Sequence, residues 1–197
     1  MEQPTLSKAS EEWKVQPNLT DYDTIRRTFS WQDIRNELTG LPNQRGLNIA
    51  YEAVDRHASG SLANRIAIRW LGKNGEQIDF TYKELKRQTN LFASMLQTLQ
   101  VGKGDRVFVL AGRVPEVYVT ALGTLKNRSV FCPLFSAFGP EPICQRLNKG
   151  KAKVLVTTQK LYKRKVAGLL PRLPGLSYIL LIDAVDDLDD RILSLPK

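Results

Sequence analysis

Lysine and glycine stand together at Gly102-Lys103-Gly104-Asp105, directly ahead of the apolar run Val107–Leu110, a grouping of the kind that holds phosphate. A phosphate loop, however, follows its strand and opens a helix, so that backbone N–H groups and the helix N-terminus face the anion. Here the glycines come first, and the GxxxxGK[ST] spacing is absent. Gly102 and Gly104 therefore read as punctuation that ends one helix and turns the chain into a strand. Other reactive side chains are sparse. Cys132 and Cys144, in "VFCPLF" and "PICQRL", make neither a CxxC pair nor a disulfide framework, and read as buried free thiols. His57 is the single histidine and has no acid or cysteine set arranged beside it, so it reads as a packed helix residue. Metal sites built on His/Cys clusters are excluded by the same count. Asn18-Leu-Thr20 and Asn127-Arg-Ser129 match the glycosylation pattern, which carries no weight without a secretion signal.

The elements that would position any site follow from periodicity. The first ~20 residues are broken by Pro4 and Pro17 and read as extended. Ser30 opens a short helix, with Asp33 three residues on. "LNIAYEAVDRHA" places Leu47, Ala50, Tyr51, Val54 and Ala58 on one helical stripe. From residue 65 the pattern becomes a hairpin, "IAIRWL" and "IDFTY" joined through Asn74-Gly75. Thr81 with Glu84 then caps a long amphipathic helix. "RVFVLA", "SVFCPLF", "KVLVTT" and "LSYILLID" are strands, and "PEVYVTALGTLK", "PEPICQRLNKG" and the basic "QKLYKRKVAGLL" are the helices between them. Pro115 suits a first helical turn, and Gly150 closes the helix before the third strand. The expected fold class is α/β: a partial doubly wound, mostly parallel sheet with flanking helices, preceded by a helical and extended N-terminal extension. Ligands of such sheets bind beyond the C-terminal strand ends. That directs attention to Ala111–Pro115, Leu134–Pro140 and Thr157–Lys165.

The chain of 197 residues is 42% hydrophobic and 25% charged, which suits one soluble globular domain, or one domain with an extension. No apolar run approaches the ~20 residues of a membrane span. The opening "MEQPTLSKASEEWKVQPNL" is neither a signal peptide nor an arginine-rich transit peptide, so a cytoplasmic location is expected. The net charge of +9 is uneven: residues 61–172 carry 20 Lys/Arg against 6 Asp/Glu, and both flanks are acidic. A basic field favours polyanions, but it equally fits a solvated face or a surface covered by an acidic neighbour. Nucleic acid is not expected, because no recognition motif or interleaved aromatics accompany the charge.

Several segments together resemble the adenylate-forming superfamily of AMP-forming acyl- and aryl-CoA synthetases, and within it the N-terminal portion of acetyl-CoA synthetases (acetate–CoA ligases). They are "NLTDYDTIRRTFSW", "LNIAYEAVDRHASG", "TYKEL", "GKGDRVFVLAGRVPEVYVTALGTLK", "PLFSAFGPEPICQRL" and "AKVLVTT", in family order over roughly residues 18–182. The resemblance implies the domains 1–60 as an N-terminal extension, 61–182 as an incomplete α/β part of the AMP-binding large domain, and 183–197 as an acidic linker or end. It implies that "FSAF" lies beside the adenine of CoA, giving Phe135, Ser136 and Ala137 as site residues. It implies that cations after the "VTT" strand hold the CoA 3′-phosphate, giving Lys163, with Arg164 and Lys165 as substitutes. Lysine binds phosphate as a point charge, without the arginine fork. Lys160 fits a solvated helix face equally well.

Two departures from the family stand out. Asn127-Arg128-Ser129 replaces an Ile-Gly-Ala segment, which implies an outward loop or a relaxed constraint where a glycine allowed close packing. Gly139 stands where a serine often precedes Pro-Glu. The family's Ser/Thr/Gly-rich loop ending in Pro-Lys-Gly does not occur in residues 1–197, nor do its later adenylation motifs. The expectation is therefore part of an acetate–CoA ligase that contributes one wall of a CoA site and is inactive alone, with no catalytic residue of its own. ATP and Mg belong only to the complete enzyme, and the expected partners are CoA and a second chain carrying the remainder. The alternative is a non-catalytic CoA-binding or protein-interaction module from this family.

Overall fold

A computed structural model describes residues 14–184 and 189–196. The expected extended run before residue 14 lies outside them. The chain divides into two compact units, Met1–Leu38 and Thr39–Lys197. The first unit holds two seven-residue helices, α1 (Tyr22–Thr28) and α2 (Trp31–Glu37), with no buried residue in either. Asp21 caps α1 by accepting from the Thr24 N–H at 2.9 Å, and Ser30 caps α2 by accepting from Gln32 at 3.2 Å. Phe29 and Trp31 meet edge to face across the joint, 4.9 Å between ring centroids.

The second unit begins with residues expected to belong to the extension. Asn48 accepts from the Ala50 and Tyr51 N–H groups and donates to the Leu125 carbonyl at 2.9 Å, which joins this stretch to the main body. A helical turn widened to i→i+5 bonding, Tyr51–Asp55, runs into α3 (Arg56–Ala58). Ala50 and Val54 are buried as the stripe requires, but Leu47 precedes the helix and stays 49% exposed. Residues 48–58 thus lie within the second compact unit, which begins at Thr39.

The hairpin β1 (Ile66–Leu71) and β2 (Gln77–Thr81) pairs antiparallel, with Arg69 opposite Asp79 and bonded to it twice, at 2.8 and 2.9 Å. Helix α4 (Tyr82–Thr98) starts on a complete Thr81/Glu84 capping box. Then follow β3 (Arg106–Leu110), α5 (Glu116–Lys126), β4 (Val130–Leu134), α6 (Pro140–Lys149), β5 (Ala152–Thr157) and the short α7 (Gln159–Leu161). A second widened turn, Tyr162–Val166, and a tight 3₁₀ stretch, Ala167–Arg172, lead to β6 (Tyr178–Leu181) and β7 (Ile192–Ser194).

The five strands pair in the order β4-β3-β5-β6-β7, all parallel. Period-two alternation sends side chains to two cores. Phe108, Leu110, Leu155, Ile179 and Leu181 meet Ile143 and Leu147 of α6 and Val166 on one face. Val107, Val109, Val154, Val156 and Leu180 meet Phe92 and Leu96 of α4 and Val119 of α5 on the other. Each such side chain fully removed from water contributes about 1.5–3 kcal/mol. Residues 192–194, near the acidic stretch, supply β7: Ile179, Leu180 and Leu181 align with Ile192, Leu193 and Ser194. Ile192 and Leu195 are both 7% exposed and enter opposite cores, a short apolar signal that the neighbouring aspartates mask in the sequence.

The helix ends correct a further expectation. Gln100, not Gly102, takes the left-handed conformation after α4, at φ 55°. The Val101 N–H returns to Leu96 and that of Gln100 to Gln97, the paired bonds of a Schellman motif. Helix α6 does close on Gly150, its C-cap, and the next residue, Lys151 (φ 48°), is left-handed. Gly150 is required for another reason: a Cβ there would stand 2.4 Å from Cζ of Phe108.

Candidate functional site

Strand β3 is the first of the sheet, and the chain builds outward from it in both directions, to β4 on one side and to β5, β6 and β7 on the other. That reversal makes the C-terminal ends of β3, β4 and β5 the place where loops part and a ligand can enter. The floor is closed by the buried Thr157, whose Oγ1 donates to the Leu110 carbonyl at 2.6 Å. The loop after β3 is held by Trp70, whose Nε1 donates to the Arg113 carbonyl at 2.8 Å. After β5, Thr158 caps the helical segment through the Leu161 N–H, and Asp183 accepts from the Gln159 N–H at 2.7 Å.

The loop after β4 carries the predicted aromatic and small residues. A tight turn, Phe138 N–H to Phe135 carbonyl at 3.0 Å, brings the two rings together edge to face, 5.6 Å apart at 90°. Phe138 packs onto the core and Phe135 remains 65% exposed. Ser136 is half-buried and Ala137 exposed. The Arg146 guanidinium also lies over Phe138, 4.2 Å from the ring centroid, a cation–π arrangement. Neither Phe138 nor Arg146 was singled out from the sequence. The Phe-x-x-Phe spacing was the available signal for the first; the second needs the orientation of α6.

The basic run lies on the widened turn after α7, where the Ala167 N–H reaches back to the Tyr162 carbonyl. Such turns recur at functional sites. Tyr162 and Val166 anchor it in the core, at 8% and 0% exposure. Burial first, and then the charge of Asp189, hold the Tyr162 phenol above its ordinary pKa, so it stays neutral. Lys163 and Arg164 point into solvent, while Lys165 turns inward and is 9% exposed. The Lys165 ammonium donates to the carbonyls of Ser136 at 2.6 Å and Phe138 at 2.7 Å. The structure therefore brings Phe135, Ser136 and Ala137 beside Lys165 and sets Lys163 and Arg164 on the same turn, but it gives Lys165 different work from that of its two neighbours.

The remaining candidates of the sequence fall elsewhere. The Gly102–Gly104 turn lies at the opposite, N-terminal end of the strands, where the Asp105 carboxylate accepts from the Gly102 N–H and from Lys153, both at 2.8 Å. His57 accepts from Arg56 at 3.3 Å and packs 5.1 Å from the Tyr82 ring. Cys144 is buried; Cys132 is half-buried, and burial raises its thiol pKa, away from nucleophilic use. A cleft of about 260 Å³ lined by Phe80, Gln88, Glu116, Val119, Ile182 and Leu195 contains none of the predicted residues. Among the described residues no group of three or more His, Cys, Asp or Glu could hold a metal ion, and no helix is long and apolar enough to cross a membrane.

With this geometry in hand, residues 54–194 match the family described as AMP-binding enzyme. The acetyl-coenzyme A synthetase of Bacillus subtilis is 36% identical over 157 residues, covering 79% of this chain and 27% of the relative. That of Gemmatimonas aurantiaca is 36% identical over 111 residues, covering 56% of this chain and 17% of the relative. The crystal structure of a Brucella canis acyl-CoA synthetase superposes with a TM-score of 0.73 at 27% identity, covering 87% of this chain and 30% of that one. The match thus spans about a quarter or less of the length of these relatives in sequence.

Proposed function

The chain belongs to the AMP-binding enzyme family, and we propose that within it the chain serves as the N-terminal part of an AMP-forming acetate–CoA ligase and contributes one wall of the CoA site. The reaction joins acetate, ATP and CoA to give acetyl-CoA, AMP and pyrophosphate. The observation that carries this reading is the convergence of two loops at the carboxyl ends of β4 and β5. One presents the exposed Phe135 ring; the other presents the exposed cations Lys163 and Arg164, and Lys165 ties the two together.

These residues fit CoA on physical grounds. Phe135 offers an apolar face, with small Ser136 and Ala137 beside it, against which a flat adenine can pack. Lys163 and Arg164 are free to meet a phosphate, the lysine as a point charge and the arginine as a fork. Holding the nucleotide end, remote from the reacting thiol, uses binding energy to orient the thiol. ATP and Mg supply the charge stabilisation of the adenylation half-reaction when bound to a complete ligase. No described residue is assigned to that step, and the chain is predicted to be inactive alone.

A second reading, a self-contained CoA-binding or protein-interaction module, is favoured by one feature. Edge strand β4 contains Pro133, which offers no N–H to a further strand, a device that protects sheet edges from pairing. The deciding experiment is acetate-dependent ATP–pyrophosphate exchange, run on the pure chain and on the chain captured with its native companions, with CoA titrated into each. The ligase reading expects exchange only in the captured material and CoA binding in both. Exchange by the pure chain overturns its inactivity alone. CoA binding without exchange in either sample selects the module, and no CoA binding in either removes the wall assignment.

A further inference from the structure

Lys165 is a buried cation with no carboxylate beside it in the described ion pairs, and its two partners are main-chain carbonyls of one loop. Taking an ammonium out of water is costly, and a methionine would fill the same space without that cost. What the methionine could not do is hold the Ser136 and Phe138 carbonyls at 2.6 and 2.7 Å from a single atom. Charge-assisted bonds of this kind fix geometry tightly. They span 29 and 27 positions of sequence, and the loop they seize is the one that turns Phe135 outward. Only one further N–H of the ammonium remains for anything else.

We propose that Lys165 is the positioning residue of this site and not one of its phosphate ligands: it fixes the Phe135–Phe138 turn, and through it the exposed ring that meets the base. The remaining support of the turn is lateral. Phe138 touches both Phe135 and Arg146, which holds the rings but not the height of the loop above the strand ends. Lysine 165 sets that height, because its own backbone is held by the buried flanking residues Tyr162 and Val166. The two exposed cations of the turn are left to the anion, and the inward one couples their backbone to the aromatic platform.

The proposal rests on the CoA reading of this wall, and its test separates the two. In the full 197-residue chain, CoA affinity and hydrogen exchange of the residue 135–139 peptide are measured for wild type, Lys165→Met, Lys165→Arg, Phe135→Ala and Phe135→Ala/Lys165→Met. Lys165→Met is expected to speed exchange of the Phe138 amide and to weaken CoA about tenfold, the loss of roughly one charge-assisted bond. Lys165→Arg is expected to restore both. The Met change is expected to add less than about twofold once Phe135 is alanine, since a positioning residue acts through what it positions. Equal losses in both backgrounds mean that Lys165 touches the ligand directly, which overturns the proposal; unchanged exchange overturns it too. If wild type does not bind CoA, the CoA reading fails while exchange still decides the role of Lys165. Should Lys165→Met not fold, acylation of wild-type lysines by a soluble active ester decides instead. Lys165 is expected to react at least about tenfold more slowly than Lys163, as its burial and bonding require, and equal rates overturn the proposal.

Discussion

Gly104 donates its N–H to the Arg128 carbonyl at 3.0 Å, and both residues occupy the left-handed region, at φ 81° and 61°. Around that bond Asn127 donates to the Val101 carbonyl at 2.7 Å and Ser129 to that of Gly102 at 2.8 Å, so two helix ends are sewn together. Arg128 is the C′ residue of α5: its N–H returns to Leu125 and that of Ser129 to Thr124. The position where the family resemblance implies glycine thus demands backbone conformation, not close packing, and the arginine side chain points into water. Arg128→Gly is expected to relieve about 1 kcal/mol of left-handed strain. Thermal unfolding should show Tm rising by about 2–4 °C.

Gly123 poses the opposite case. A Cβ there would lie 2.7 Å from Cδ1 of Phe92 and 2.9 Å from the Thr89 carbonyl oxygen. Alanine gains about 1 kcal/mol of helix propensity over glycine. The obstructing atom is main chain and cannot rotate away, so α4 and α5 must part, a shift that costs about 1–3 kcal/mol. Gly123→Ala is therefore expected to lower Tm, and a rise would mean the helices separate freely.

The strongest periodic signals carried over into the fold. The alternation of Val107, Phe108, Val109 and Leu110 becomes two cores on two faces, and Thr81 with Glu84 becomes a complete capping box. Strand β7 is hidden in the sequence because three paired residues that follow a run of aspartates carry too little periodicity to outweigh the charge. The left-handed residues after two of the helices are Gln100 and Lys151, types that carry no sequence signal for that conformation. At the candidate site, the sequence offers residues but not the directions of their side chains. Nothing in "YKRK" says that the middle pair faces water and the last lysine faces in, because a widened turn shifts the helical phase by about one residue.

Acid sensitivity should report on the amino end of the sheet. The Lys153 hydrogen bond, then that of the Gly102 N–H, hold the Asp105 carboxyl below its ordinary 3.8. A depressed carboxyl contributes stability above its unfolded value and loses it as pH falls through the folded one. The contribution is therefore intact at neutral pH and fades below 3.8. Asp105→Asn should lower stability near pH 7 and flatten its decline below pH 4, read from Tm against pH. An identical slope in the variant would show that Asp105 is not a source of that decline.

A buried ion pair joins the widened turn Tyr51–Asp55 to α5. Lys126 Nζ lies 2.8 Å from Asp55 Oδ1 and 2.7 Å from Asn90 Oδ1, with the charged side chains 10% and 13% exposed. Burial pulls the lysine below its ordinary pKa, and the Asp55 bond offsets only part of that. The pair therefore stabilises less than its geometry suggests, but one member alone is worse. Lys126→Met is expected to cost about 3 kcal/mol, and Lys126→Met/Asp55→Leu to recover most of it. Chemical denaturation of the four proteins of the cycle checks this; a double variant no better than the single one would assign the cost to packing.

At the proposed CoA wall, ring and charge should separate. Phe135 is 65% exposed, so Phe135→Ala should leave Tm nearly unchanged. It should weaken CoA by about 1–3 kcal/mol, the worth of one base stacked on an aromatic ring. The same loss should appear with dephospho-CoA, because in the proposed wall the ring meets the base and not the phosphate. Lys163 behaves differently. Lys163→Glu should weaken CoA while leaving the already weaker dephospho-CoA almost unaffected, and the difference should shrink as salt rises. Lys163→Arg should tighten CoA alone, since a fork replaces a point charge. Calorimetric titration of both ligands into each variant tests the scheme. If Lys163→Glu weakens the two ligands equally, the cation does not see the 3′-phosphate, and Arg164, exposed on the same turn, becomes the residue to replace next.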